Sequence, residues 1–341
     1  MVPILHLANG RFLIYRRLGG GGYGTVYEAF DQAEQRWVAI KIYHPNIQVD
    51  QALLEGQIHL LLSKHRNVAD IYHIGFDGPA PYLSLQLLRG GSAESRLAAG
   101  QVSLQEAAAW SRALLAALQH AHDLGILHRD LRLSNLLFDE AGNAYLSDFG
   151  ISEDAVRKQA VAVSYPPHQS PEFMDGKPTT IQSEIWQAGC FLYRLLTGER
   201  PFGMAPTRQD LKDSGPIRSI QSLNPQVPLQ LARVVRKALR INPADRYQSA
   251  HAMHEAIDAC EVRASWVGIP GRPEAWHATV DDGQLVVQIE QGPRGRPLLL
   301  VRRDLGKGPR MVLKRQMGSL IDARRAAGDV MRRVVRDGRW R

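Results

Sequence analysis

The sequence is poor in the features that hold small secreted chains or membrane-bound chains together. It has two cysteines, Cys190 and Cys260, far apart in the chain. That excludes a disulfide framework and a cysteine-based metal cluster, and it suits a reducing cytosol. No run of about 18 apolar residues is present, so no membrane span is expected. Met1 to Gly10 is partly apolar but carries no charged leader and no clear cleavage site, so no secretory signal is read there. Internal repeats and low-complexity tracts are absent. These absences leave a globular, cytoplasmic chain as the expectation.

At 341 residues, 44% of them hydrophobic, the chain is long enough to bury a sizeable core and to form roughly two domains. Its net charge of +8 is unevenly spread. Val262 to Arg341 holds 17 Lys/Arg against 8 Asp/Glu, and the rest of the chain holds 25 against 26. The positive field therefore belongs to the C-terminal portion. Such a patch could bind nucleic acid, an acidic protein or anionic lipid, or it could be a solvated surface.

Periodicity divides the chain into three parts. Strands are expected at Arg11 to Leu18, Thr25 to Phe30, Trp37 to Tyr43, Val68 to Phe76 and Pro81 to Leu88. One helix, Gln51 to Ser63, sits among them, with Leu53, Leu54, Ile58, Leu61 and Leu62 as its apolar residues. After Gly90-Gly91 the pattern turns helical at Leu104 to Leu124, Ser183 to Leu196, Leu229 to Leu239 and Ser249 to Val262, with short strand-like pieces at Ile126 to Asn135 and Tyr145 to Ser147. Gly268 to Gly271 reads as a linker. Beyond it, four short strands are expected at Trp276 to Val280, Gln284 to Glu290, Leu298 to Arg303 and Arg310 to Lys314. An amphipathic helix follows at Ser319 to Val335, with its arginines away from the apolar face.

Four motifs carry chemistry. Gly19-Gly20-Gly21-Gly22-Tyr23-Gly24 has the G-x-G-x-x-G spacing, which alone fits a dinucleotide fingerprint, a flexible turn or a flap over phosphates. The dinucleotide reading needs a helix next; here a strand beginning at Thr25 follows, which favours the flap. Glycines let the backbone approach phosphate oxygens without a Cβ in the way. Val38-Ala39-Ile40-Lys41 places a lysine on the third strand, with Glu55 on the following helix as its natural partner. In His128-Arg129-Asp130-Leu131-Arg132-Leu133-Ser134-Asn135, an aspartate can take a hydroxyl proton, and an asparagine five residues later can bind a metal. Asp148-Phe149-Gly150 adds a carboxylate suited to magnesium, a hard cation that takes oxygen ligands.

These motifs in this order resemble the eukaryotic-like (Hanks-type) protein kinase family, and within it the bacterial serine/threonine branch. Ser170-Pro171-Glu172, Gly189 to Gly198 and Asn242 to Tyr247 extend the likeness, which spans about Arg11 to Glu261. The resemblance implies an α+β chain with a bilobal kinase fold: a strand-rich N-lobe with one helix (about 11–88) and a helical C-lobe (about 91–261). A small basic C-terminal β/α appendage of unknown role (272–341) would follow. It implies ATP and Mg2+ as cofactors, a protein substrate and a role in signalling. Residue by residue, Gly19, Gly20, Gly21, Gly22, Tyr23, Gly24 and Thr25 would cover the phosphates. Leu18, Val26, Ala39 and Leu137 would sandwich the adenine, Leu85 would be the gatekeeper, and the backbone of Gln86 and Leu88 would bond the adenine edge. Lys41 and Glu55 would form an ion pair, Asp130 would be the catalytic base, and Asn135 and Asp148 would hold magnesium. Glu172 and Arg246 would pair structurally.

Four departures from the family pattern bear on activity. Arg132 stands where the family has lysine, Ser164-Tyr165 where it has Gly-Thr, and Glu184 where it has aspartate; Ile151 to Tyr165 contains no threonine. Arginine keeps the charge at 132 but presents a planar fork instead of a compact ammonium. The missing threonine leaves Ser152, Ser164 and Tyr165 as acceptors and implies little dependence on activation-loop phosphothreonine. A pseudokinase scaffold, a small-molecule phosphotransferase, and a kinase whose basic tail binds nucleic acid or an acidic partner are the competing readings.

Overall fold

The computed structural model describes residues 3–100, 102–149, 166–204, 206–213, 217–269, 272–281, 283–306 and 308–340. The expected residues Gly150, Ser152, Ser164 and Tyr165 lie outside these. The first strands are β1 (Leu5–Leu7), β2 (Phe12–Gly20), β3 (Gly24–Asp31) and β4 (Arg36–Tyr43), followed by α1 (Val49–Leu62), β5 (Ile71–Asp77) and β6 (Ala80–Gln86). They form one antiparallel sheet in the order β1-β2-β3-β4-β6-β5. The strand β1 was not expected. It pairs Leu5 to Leu7 with Phe12 to Ile14, and it is too short to show an alternation in sequence.

The side-chain period of two gives the sheet two jobs. Val38 and Ile40 on β4 face a core with Leu7, Phe12, Ile14, Ala29 and Tyr82. Tyr43 lies in a second cluster with Ala52, Ile71 and Leu83, so Ala39, Lys41 and Tyr43 face the side that α1 covers. The inward stripe of α1 is Ala52, Glu55, Gly56, His59 and Leu62. Of the apolar residues expected there, Leu62 alone is buried; Leu53, Leu54 and Ile58 are half-buried and Leu61 is 56% exposed. A Cβ on Gly56 would lie 2.7 Å from Ile74 Cδ1. The absence of a side chain there lets the helix approach the sheet closely, which selects the polar stripe over the apolar one.

The chain continues through α2 (Ala93–Ala99), α3 (Leu104–Asp123), the hairpin β7 (Leu136–Phe138) and β8 (Ala144–Leu146), α4 (Pro171–Met174), α5 (Ile181–Thr197), α6 (Arg208–Asp213), α7 (Ile220–Leu223), α8 (Leu229–Ala238) and α9 (Ala250–Asp258). Ile126 to Asn135 is not strand-like: it is an irregular loop ending in a single tight turn at Leu133–Asn135. Last come β9 (Val267–Ile269), β10 (Arg272–Val280), β11 (Gly283–Gln291), β12 (Pro297–Asp304), β13 (Pro309–Gln316) and α10 (Leu320–Asp337). Part of the stretch read as a linker is thus a fifth strand, β9, which pairs with β10.

Contacts group the described chain into two compact units. One comprises Met1–Arg96, Ala113–Tyr165 and Gly176–Glu184; the other comprises Leu97–Arg112, Pro166–Asp175 and Ile185–Arg341. Residues 113–149 join the strand-rich unit because Asn67 Nδ2 donates to Ala144 O, Leu146 N to Asn67 O and Gly90 N to Phe138 O. In the second unit Arg246 grips Glu172 with two parallel hydrogen bonds of 2.8 and 2.7 Å and also donates to Arg240 O and Ile241 O. The terminal sheet runs β13-β12-β11-β10-β9, and α10 lies against β11 and β12. Residues just before this sheet are fastened within the same unit. Gln226 accepts from Trp266 N at 2.7 Å and donates to Trp266 O at 2.9 Å, while Ser265 Oγ accepts from Leu104 N. Among the described residues, no helix is long and apolar enough to cross a membrane.

Candidate active site

The glycine motif forms the turn of the β2–β3 hairpin, with Gly20 opposite Thr25 and Gly21 N donating to Gly24 O at 3.0 Å. A Cβ on Gly19, Gly21 or Gly22 would meet nothing within 4 Å, which leaves those backbones open to a ligand. Gly24 differs. Its Cβ would lie 2.5 Å from Ile42 O, so glycine is required there by the approach of β3 to β4. Val26 sits opposite Lys41, and Ala39 opposite Leu85, so these residues share one face of the sheet with the lysine. Leu18 lies near the end of β2, and Leu137 is on β7 opposite Tyr145. Gln86 N donates to Asp70 O at 2.8 Å, whereas Leu88 N has no partner among the described residues and is available to a ligand edge.

Lys41 Nζ stands 2.5 Å from Glu55 Oε1 and 3.6 Å from Asp148 Oδ1. Burial works against the lysine's charge, but Glu55 and Asp148 outweigh it and hold Lys41 protonated, above the ordinary lysine range. Desolvation likewise opposes the charge on Asp148, whose side chain is half exposed, but Lys41, His128, His59 and Arg132 overcome it and keep Asp148 ionised below its usual range.

Asp130, Arg132 and Asn135 come together in the loop before β7. Asn135 Nδ2 donates to Asp130 O at 2.9 Å and to Asp130 Oδ2 at 3.1 Å. Arg132 Nε lies 3.1 Å from Asp130 Oδ2 and 3.3 Å from Asn135 Oδ1. The two clusters are joined through Ser147, whose N and Oγ donate to Asn135 O while Oγ also reaches Asp148 Oδ2. Two strained residues turn the chain here: Arg129 has φ +67° and Asp148 φ +55°. Left-handed backbone at non-glycine residues costs on the order of 1–3 kcal/mol each and persists only where surroundings enforce it.

The enforcing contacts come from Glu184, which stands where the family resemblance has an aspartate that bonds this loop, and from His128, Phe149, His59 and His122, to which the sequence assigns no role. His128 Nδ1 accepts from Asp130 N at 3.2 Å, which puts its proton on Nε2 to donate to Ser147 O at 3.0 Å. Its ring packs against Phe149 (4.7 Å between centroids), and His59 meets the same phenylalanine edge-on at 6.3 Å. Glu184 absorbs its extra methylene by dividing its oxygens. Oε1 accepts from Arg129 N at 2.5 Å, and Oε2 meets His122 Nε2 at 2.7 Å. The only sequence signal for His59 is its place one turn after Glu55. For His122, nothing in the sequence points to Glu184.

A carboxylate and an amide oxygen, Asp148 and Asn135, are hard donors of the kind magnesium takes, and open glycine backbone with a buried ammonium is chemistry suited to a triphosphate. The site's residues therefore fit a metal–nucleotide.

Residues 12–257 match the sequence family described as protein kinase domain. The chain is 31% identical over 261 residues to the serine/threonine-protein kinase PrkC of Bacillus subtilis, an alignment spanning 73% of this chain and 40% of PrkC. It is 30% identical over 267 residues to the serine/threonine-protein kinase PknL of Mycobacterium tuberculosis, spanning 74% of this chain and 66% of that one. Among solved structures, the PknI kinase domain of Mycobacterium tuberculosis superposes with a TM-score of 0.58 at 22% identity, covering 75% of this chain and 99% of that domain. That likeness is one of fold.

Proposed function

Since the chain belongs to the protein kinase family, in its bacterial serine/threonine branch, we propose that it transfers the γ-phosphate of ATP to serine or threonine hydroxyls of protein substrates. The observation that carries this reading is the Lys41–Glu55–Asp148 ion-pair chain joined through Ser147 to Asp130 and Asn135. Asp130 orients the acceptor hydroxyl and takes its proton at Oδ. Lys41 steadies nucleotide phosphates while Glu55 fixes the ammonium. Arg132, beside Asp130, lays its cation where charge grows on the transferred group. Asn135 and Asp148 would hold magnesium, which when bound neutralises phosphate charge. Positioning and charge supply most of the rate in such transfers, and these residues supply both.

Two buried free cysteines support a reducing, cytosol-like compartment. The Arg246–Glu172 brace favours protein over small-molecule substrates, by the family resemblance. Incubation of the purified chain with labelled ATP, Mg2+ and a generic protein acceptor tests the activity. Asp130→Asn is expected to lower the rate by about 10²–10⁴-fold. A wild-type chain that binds ATP but labels no protein, itself included, would make it a pseudokinase scaffold.

A further inference from the structure

The cations of α10 and those of β13 differ in their partners. On α10, Arg325, Arg332 and Arg336 pair with Asp322, Asp329 and Asp337, Arg324 pairs with Glu274 of β10, and among the described residues Arg333 alone of the helix's arginines lacks a carboxylate. On β13, Arg310, Lys314 and Arg315 have no carboxylate partner among the described residues. Arg272, Arg294, Arg296, Arg302 and Arg339 likewise have no carboxylate partner among the described residues, but they are spread over other elements and loops, whereas β13 carries three such cations on one strand.

That strand is the edge of its sheet. Met317 N donates to Pro297 O at 2.8 Å. With the register Leu298↔Gln316, Leu299↔Arg315, Leu300↔Lys314, Val301↔Leu313, the antiparallel alternation turns the main-chain groups of Arg315 and Leu313 toward β12. The N–H and C=O of Lys314 and Gln316 therefore point outward. Nearly every residue of β13 is exposed, and two are apolar: Met311 at 46% and Val312 at 37%. The opposite edge, β9, has three residues and offers no comparable ladder. Charges on an edge commonly serve to block pairing, but a blocked edge has no reason to expose apolar side chains between its cations.

We propose that β13 is a docking edge for an acidic, extended polypeptide segment, which adds to the terminal sheet as a sixth strand. Main-chain bonds to Lys314 and Gln316 would supply the ladder. Lys314 and Arg315 are successive residues of β13 and project to opposite faces, so the segment would carry carboxylates and apolar side chains on both of its faces. A second copy of β13 is disfavoured because like charges would stand opposite one another. Nucleic acid is disfavoured because Pro309–Gln316 has no aromatic side chain to stack a base and uses outward main-chain groups that suit a peptide. The proposal does not depend on catalysis.

Hydrogen exchange on the full chain, with and without an end-blocked peptide of repeating Glu-Glu-Val-Val, which places carboxylates on both faces of a strand, tests it. The Lys314 and Gln316 amides should slow by at least about tenfold at saturation, and Lys314→Glu with Arg315→Glu should weaken peptide binding by at least about tenfold. These are exposed positions, and an unchanged circular dichroism spectrum shows that the variant folds. The same peptide with alternate amides N-methylated keeps its charge but cannot form the ladder, and it should leave those amides unprotected. Equal binding of the methylated peptide, protection elsewhere than β13, or protection of β13 only by an oligonucleotide or by anionic vesicles would overturn the proposal. Protection that grows with protein concentration alone would replace it with self-pairing.

Discussion

Arg132 illustrates how far a single side chain can be judged. Its Nε touches both Asp130 and Asn135, so the guanidinium occupies the place where a lysine is usual in the resemblance. Loss of one pre-placed donor at a reacting centre typically costs about 10²–10³ in kcat. Arg132→Ala is expected to fall in that range in the phosphorylation assay, with Arg132→Lys retaining most activity. Equal rates for wild type and Arg132→Ala would remove this residue from the chemistry. Lys41, Asp130, Asn135 and Asp148 were legible in sequence because each sits in a motif whose spacing is itself constrained. His122 was not legible, because its partner Glu184 lies in another helix and only the fold brings a histidine to the spare carboxylate oxygen.

At the scale of elements, the hairpin β2–β3 and the strand β4 were readable from alternation and glycine, and their expected bounds fall close to the observed ones. The facing of α1 was not. Apolar counting chose Leu53, Leu54, Ile58, Leu61 and Leu62, of which Leu62 alone is buried, whereas the buried stripe also holds Glu55, the expected partner of Lys41, and His59, held by Ala69 O. Polar residues with committed partners can outcompete leucine for the inside of a helix, and composition does not record partners. The glycine turn carries a separable requirement. Gly24→Ala would thrust a methyl group against the Ile42 carbonyl, and overpacking of this kind costs about 1–3 kcal/mol. A lowered denaturant midpoint with a raised KM for ATP is expected, whereas Gly22→Ala, with open space around it, should leave stability within about 0.5 kcal/mol.

For the whole molecule, pH enters through buried imidazoles. Burial holds His59 below the ordinary histidine range, and His65 and His73 are lowered for the same leading reason, His65 also by its neighbour His120. A folded-state pKa below the unfolded one, which is about 6.5, favours the native state most when the imidazole is neutral. The contribution is therefore complete above about pH 6.5 and is lost as pH falls below it toward the depressed values. Thermal melts should show Tm falling from pH 7.5 to 5.5 by more in wild type than in His59→Leu. Parallel slopes would mean that His59 does not titrate differently on folding. The tail's sheet and helix were anticipated in outline. Its attachment was not, since Gln226 and Trp266 are ordinary residues until the chain brings them face to face.

That reciprocal clasp has a practical consequence for anyone drawing a boundary by motif. A fragment ended at Glu261, where the family likeness stops, would strip the Gln226 amide of both its main-chain partners and the amides at the head of α3 of Ser265 Oγ. Replacing a buried tryptophan with alanine costs about 3–5 kcal/mol, so Trp266→Ala should already register in urea melts of the intact chain. The shortened fragment should be sticky and short-lived in storage, with any apparent inhibition or activation by the missing piece reflecting damage to the scaffold and not regulation.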